Sequence, residues 1–377
     1  MDIYQQSLEI HKKFKGKITT SLRDKQLDRD KLSLYYTPGV AGVSRRIAEH
    51  PDELRDYTWA NNLVAIISDG TAVLGLGNIG PKASMPVMEG KALLFKKFAN
   101  IDAVPIVLDV HTPNEIVSVI KAIAPSFGGI NLEDIAAPIC FEVEERLKAE
   151  LDIPVMHDDQ HGTAVVCLAG LINATKVVDK QLGDCRIVLV GAGAAGVAIA
   201  KLIYKYAQPQ VVMVDSKGII SSARTDLNDS KKALLEFSNP QGISGSLADA
   251  VKDADIFIGV SQPDLLTKEM VKSMAAQPIV FAQANPDPEI KPELAREAGV
   301  AVLATGRSDY PNQVNNALAF PGIFRGALDN RVSQITDEHK IAAAKAIAAL
   351  VDQPDAEHII PDVFDERLVP AIAKTIV

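Results

Sequence analysis

Three cysteines, Cys140, Cys167 and Cys185, are all that 377 residues contain, and they form no CxxC or metal-finger spacing. An odd count so spread excludes a disulfide framework. The N-terminus, MDIYQQSLEIHKKFKGK, lacks the apolar core of a secretory signal, so reduced thiols and a cytoplasmic location are expected. No apolar stretch reaches the roughly 18 residues that would argue a membrane span. Long basic runs are missing and the net charge is -9, so neither nucleic acid nor an anionic membrane is expected as a partner. What is present is an ordinary globular composition, 47% hydrophobic and 23% charged, in a chain long enough for two domains.

The hydrophobic pattern divides the chain. Residues 1 to about 30 are polar and mildly basic, and read as a helix and an arm. LVAIIS (63–68) and AVPIVLD (103–109) read as buried strands, while NEIVSVIKAIA (114–124) and CFEVEERLKAEL (140–151) carry the helical period. TAVVCLAGLINATKVV (163–178) reads as a mostly buried helix. A second series follows, with apolar runs in 186–190, 210–218, 254–261, 278–286 and 299–307 separated by helical stretches. An Ala-rich helix over 337–351 and further helix after Pro361 close the chain. Such alternation predicts an α/β fold of mostly parallel sheets covered on both faces. We place the domains at 1–156 and 157–377, the second a Rossmann-like doubly wound unit with C-terminal helices.

VGAGAAG sets Gly191, Gly193 and Gly196 in GxGxxG spacing, with Ala194 and Ala195 between the last two. The pattern alone is weak. Here a strand precedes it, a helix follows, and Asp215 ends the next strand, which is the full context of a dinucleotide fingerprint. Pyrophosphate would lie at the helix N-terminus, where free N–H groups favour anions. Asp215 would accept from the ribose of NAD and repel the phosphate of NADP, although Lys217 could offer that phosphate a charge. NAD is therefore expected, with NADP as the alternative. GLGNIG repeats the spacing at Gly75, Gly77 and Gly80, but Pro81 and Pro86 follow at once. We expect no long helix there and read a glycine-rich loop.

VMHDDQHGTA, residues 155–164, places Asp158 beside Asp159 with His157 and His161 around them. With Glu133 and Asp134 of NLEDIAAP, two adjacent pairs of carboxylates suit a hard cation such as Mg²⁺ or Mn²⁺. HxxxH is also a zinc spacing, but a metalloprotease would need Glu at position 158, and the helix is expected to begin only near Gly162. Both histidines could equally hydrogen-bond around a turn. Lys91, in PVMEGKALLFKKFA, has apolar neighbours. Desolvation could lower its pKa and make it a base, or its stem could simply cover apolar surface.

The strings YYTPGVA, DGTAVLGLGNIGPKASMPVMEGKALLFK, NLEDI, HDDQHGTA, VGAGAAG, ANPDPEI and ATGRSDYPNQVNNALAFPGIFRGAL, in this order, resemble malic enzymes of the compact prokaryotic form. The resemblance runs over nearly the whole chain. It implies Tyr36 as the catalytic tyrosine, Lys91 as the catalytic lysine, Asp158 as the acid supporting that lysine, and Glu133, Asp134 and Asp159 as metal ligands. Asn285 and Asn316 match asparagines that hold substrate. The implied reaction is oxidative decarboxylation of L-malate to pyruvate and CO₂ with reduction of NAD(P)⁺ and a divalent metal. A non-decarboxylating 2-hydroxyacid dehydrogenase and a non-catalytic dinucleotide sensor are the alternatives. One departure stands out. Larger malic enzymes have a substrate-binding arginine shortly before LGLG, where this chain reads Thr71, Ala72, Val73. A group from a partner subunit is expected to compensate, in a homodimer. A phosphotransacetylase-like domain, which some prokaryotic relatives append, is expected to be absent.

Overall fold

A computed structural model describes residues 3–377. Among the described residues, ten strands form two sheets. The first contains β1 (Leu63–Ser68), β2 (Asp102–Val107), β3 (Gly129–Leu132) and β4 (Val155–His157), all parallel, in the order β2-β1-β3-β4. Every residue of LVAIIS is buried, as expected of a central parallel strand covered on both faces. The crossovers are the helices Pro81–Ala99, Pro113–Ile123 and Ile139–Glu150. Ile67 pairs with Leu132, and Leu132 with His157. The residues that follow, Asp69, Glu133, Asp134, Asp158 and Asp159, therefore emerge together at the carboxyl edge, where α/β sheets place their ligands.

The second sheet contains β5 (Arg186–Val190), β6 (Gln210–Asp215), β7 (Gly218–Ile219), β8 (Ile256–Gly259), β9 (Ile279–Ala282) and β10 (Val302–Thr305). Its order is β10-β9-β8-β5-β6-β7, parallel except for β7. β5 is flanked by β6 on one side and β8 on the other, so the strand order reverses there and opens a crevice above its carboxyl end.

The core does not divide at residue 157. The helix Asp158–Val177 is buried along most of its length and packs on the helices Ala194–Ala207 and Asp337–Ala348. The helix Phe320–Asp329 returns to the first sheet, where Phe95 meets Phe320 and Phe324 edge-on at 4.7 and 5.4 Å. One apolar cluster thus joins β1, the Pro81–Ala99 helix, β5 and the C-terminal helices.

Two expectations about helices fail. A 19-residue helix does open at Pro81, with Pro86 inside it. Pro81 is at the first helical position, where a missing N–H costs nothing, and Pro86 falls just beyond the first turn. Burial of Met88, Lys91, Ala92, Phe95 and Ala99 outweighs the one bond that Pro86 removes. The second failure concerns the 158–177 helix, which begins at Asp158 and not near Gly162. β4 ends at His157, and two aspartates in a first turn are favoured by the free N–H groups there.

Candidate active site

The Pro81–Ala99 helix presents Lys91 to the carboxyl edge of the first sheet. The side chain is 7% exposed. Its Nζ lies 2.6 Å from Asp158 Oδ2, 2.8 Å from Glu133 Oε1 and 4.3 Å from the centre of the Phe320 ring. Glu133 Oε2 also accepts from Asn131 Nδ2 at 2.8 Å. Asp134 sits in the left-handed region, φ 54°, and its N–H donates to Asp159 Oδ2 at 2.7 Å. That strained backbone is held from both sides. Ala72 donates to the Asp134 carbonyl, and the Ala136 N–H to Thr71 Oγ1, itself bonded to Asp69 Oδ1.

Carboxylate oxygens of Glu133, Asp134 and Asp159 lie within 4.8 Å of one another. Their electrostatics are unbalanced. Burial raises Asp158 to about 7, with Glu133 adding to the rise against the pull of Lys91. Asp159 is pushed up to about 6, by burial first, and Glu133 is raised for the same reason. Asp158 Oδ1 and Asp69 Oδ2 are buried without a hydrogen-bond partner. An all-oxygen donor set with excess buried negative charge fits a divalent hard cation. Glu133, Asp134 and Asp159 would hold it.

Lys91 departs from expectation. Burial alone would lower its pKa, but Asp158, Glu133 and Asp159 hold the ammonium above the usual lysine value. The histidines do not build a zinc site. His161 Nε2 lies 2.8 Å from Glu144 Oε2, while burial lowers its pKa to about 4. His157 is fully buried, its backbone N–H on Glu144 Oε1 at 3.0 Å. Glu144 was not anticipated. It also accepts from Gln160 and pairs with Lys148, bracing the first turn of the 158–177 helix. Its signal was position, since Cys140, Val143, Glu144 and Leu147 form one buried stripe.

Asn316 belongs to this neighbourhood. A Cβ on Gly162 would meet both Asp158 Oδ1 and Asn316 Cβ, so Asn316 lies against the same helical turn. Asn285 is exposed after β9, and its carbonyl is 2.5 Å from where a Gly75 Cβ would stand. The GLGNIG loop thus meets the second unit at Asn285. Tyr36 is the candidate that stays apart. It caps the helix Arg29–Tyr35 at 68% exposure, and no described hydrogen bond ties its hydroxyl to the Lys91 cluster.

The three fingerprint glycines have three separate duties. Gly191 has φ 111°, and a Cβ there would lie 2.8 Å from the Val260 carbonyl. A Cβ on Gly196 would collide with the Gly191 carbonyl, so this glycine permits the strand–helix packing. Gly193 faces open space at the N-cap of the Ala194–Ala207 helix, leaving room for a phosphate beside the N–H groups of Ala194 and Ala195. This cradle fits a dinucleotide. Asp215, at the end of β6, pairs with Arg224 and Lys231; burial pushes its pKa up, but these cations hold it down at about 2. Lys217 turns its ammonium to Asp226 at 2.8 Å, and only its backbone N–H reaches Asp215.

The chain is similar to known proteins over its whole length. Residues 12–148 match the family model described as malic enzyme, N-terminal domain, and residues 160–376 that described as malic enzyme, NAD binding domain. The whole chain aligns at 54% identity with 92% of the bifunctional malic/malolactic enzyme of Bacillus subtilis. At 56% identity, 96% of it aligns with 76% of the NAD-dependent malic enzyme of Geobacillus stearothermophilus. The crystal structure of the NAD-dependent malic enzyme of Thermotoga maritima superposes with a TM-score of 0.96 at 49% identity, covering 100% of this chain and 99% of that one.

Proposed function

The chain belongs to the malic enzyme family, and we propose that it oxidatively decarboxylates L-malate to pyruvate and CO₂, with NAD⁺ as preferred acceptor and Mg²⁺ or Mn²⁺ as activator. The observation that carries this reading is a buried lysine bonded to Asp158 and Glu133 beside three convergent carboxylates.

A divalent cation held by Glu133, Asp134 and Asp159 would supply a Lewis acid to the substrate, and a dinucleotide bound in the second domain would supply the hydride acceptor. Lys91 takes the C2 hydroxyl proton. Its ammonium is held charged by three carboxylates, so it must first give up a proton, and Asp158 at 2.6 Å is placed to receive it. Glu133, paired with Lys91 at 2.8 Å, is also one of the three carboxylates that would hold the cation. Asn285 and Asn316 orient the substrate, and Tyr36 returns a proton to C3 after CO₂ departs. With the domains divided at 156/157, the first supplies Lys91, Glu133 and Asp134, and the cofactor-binding second supplies Asp158 and Asp159.

Tyr36 requires a second copy of the chain. The helices Ile3–Phe14, Arg29–Tyr35 and Val40–Glu49 contain no buried residue. Ile3, Leu8, Phe14, Leu22, Leu34 and Tyr36 all stand exposed on this arm. Lys17 tethers it to the Pro81–Ala99 helix through Glu89 and the Pro86 carbonyl. So many exposed apolar side chains on one arm suit an isologous homodimer in which each arm brings its tyrosine to the partner's site. No helix among the described residues is long and apolar enough to cross a membrane, and the three cysteines are free and buried, which supports a cytoplasmic enzyme.

Product analysis tests the reaction. With L-malate and Mn²⁺, NADH and CO₂ should appear in equal amounts; NADH with oxaloacetate and no CO₂ would point to a plain dehydrogenase, and no turnover to a sensor. Complementation tests the shared site. Tyr36→Phe and Lys91→Ala proteins should each be nearly inactive, and exchange of subunits between them should restore activity. No recovery in verified mixed dimers would place Tyr36 in its own subunit's site.

A further inference from the structure

Both carboxylate oxygens of Asp215 are already engaged. Oδ1 accepts from Arg224 Nη1 at 2.7 Å and from the Lys217 N–H at 2.9 Å. Oδ2 accepts from Lys231 Nζ at 2.6 Å and from Arg224 Nη2 at 3.1 Å. Arg224 is braced in turn. Its Nε and Nη2 donate to Asp226 at 2.9 and 2.8 Å, and Lys217 Nζ reaches the same carboxylate. Arg224 and Lys231 lie nine and sixteen residues beyond Asp215, one in the loop after β7 and the other on the short helix Asp229–Leu234.

An acid at the end of this strand discriminates between dinucleotides by accepting the ribose hydroxyls and repelling a 2′-phosphate. Neither effect operates freely here. The acceptor sites of Asp215 are occupied by side chains, and the local charge is reversed, since Arg224, Lys231 and Lys217 outnumber Asp215 and Asp226. A planar guanidinium and an ammonium held on one carboxylate are also the donors that recognise phosphate oxygens.

We infer that Arg224 and Lys231 determine the cofactor specificity of this chain, offsetting the exclusion that Asp215 alone would impose, so that the site accepts a 2′-phosphorylated dinucleotide alongside the unphosphorylated one. This rests on the malic enzyme reading of the crevice. It adds that discrimination is weak and that two cations, not the aspartate alone, set it.

Calorimetric titration of the full-length protein with ADP-ribose and with its 2′-phosphate reads this without turnover. The parent should bind both, with dissociation constants within about tenfold of each other. Arg224→Gln and Lys231→Met should each raise the ratio of the phosphorylated to the unphosphorylated constant by about tenfold, the value of one charge-assisted hydrogen bond. Lys231→Met, at a part-exposed position of the short helix Asp229–Leu234, keeps the test available if Arg224→Gln does not fold. A ratio unchanged in the folded variants would overturn the inference and reduce the ion pairs to loop bracing. So would a parent that binds ADP-ribose but not its 2′-phosphate. A parent that binds neither ligand would instead remove the dinucleotide reading itself.

Discussion

Lys91 sits among Asp158, Glu133, Asp159 and Asp134, at the buried carboxyl edge of the first sheet. Asp215 sits among Arg224, Lys231 and Lys217, at the rim of the second. Both are lysine–carboxylate clusters following a parallel strand, yet their electrostatics are opposite. In the first, burial and mutual repulsion raise the acids, Asp158 to about 7 and Asp159 to about 6. In the second, donors from two cations outweigh desolvation and hold Asp215 at about 2. The ratio of acids to bases and the depth of burial, rather than residue type, decide which sign of ligand each cluster needs. The first needs a cation, and the second can take an anion.

The largest expected effect breaks the first cluster alone. Asp159→Asn removes a proposed ligand and one of the charges that make a cation favourable there. Mn²⁺ affinity should fall by at least about a hundredfold, the upper end of what supporting residues alone contribute, and turnover should fall with it. ADP-ribose binding should not move. Mn²⁺ titration of the protein without substrate is the measurement, and unchanged affinity would take Asp159 out of the site.

The converse substitution should have a smaller but clear effect. Gly196→Ala drives a Cβ into the Gly191 carbonyl and must displace the glycine turn. ADP-ribose binding should weaken by about tenfold or more, the scale of a 1–3 kcal/mol overpacking strain, while Mn²⁺ binding stays intact. Loss of Mn²⁺ binding as well would mean that the two clusters are not separable, a real prospect in a molecule whose core is continuous across them.

The smallest effect concerns pH. The folded-state pKa of Asp215 lies below its ordinary value, so its contribution to stability is full above about 4 and is lost as pH falls toward 2. Asp215→Asn should therefore flatten the fall in melting temperature over that interval. The difference from the parent at neutral pH should be no more than about 2–4 °C, as for a part-exposed ion pair worth about 1 kcal/mol. An undiminished acid limb would assign the loss of stability to other carboxylates.

Much of the molecule was legible because its signals are local. Continuous apolar runs such as LVAIIS announce buried parallel strands, and the spacing of Gly191, Gly193 and Gly196 states its own geometric requirement. The acids were visible as an anomaly, since adjacent carboxylates repel unless something offsets them. Helix boundaries were less legible. The doublet Asp158–Asp159 resembles a turn until β4 is known to end at His157, and Pro86 resembles a helix breaker until the apolar face beneath it is counted.

The alternation of parallel strands and helices follows from the hydrophobic pattern, and the grouping of Glu133, Asp134, Asp158 and Asp159 in one site from the resemblance to malic enzymes. That much the sequence by itself determined. Only the tertiary structure decided the charge state of Lys91, because desolvation and the pull of three carboxylates act in opposite directions and their balance depends on distances of a few ångströms. The tertiary structure likewise chose Arg224 and Lys231 over Lys217 as the main partners of Asp215. Long cationic side chains from a loop and a short helix carry no periodicity, and the nearest lysine in sequence turns its ammonium to Asp226 instead. It also left the helices Ile3–Phe14, Arg29–Tyr35 and Val40–Glu49 without a buried residue, the observation on which the proposed dimer rests.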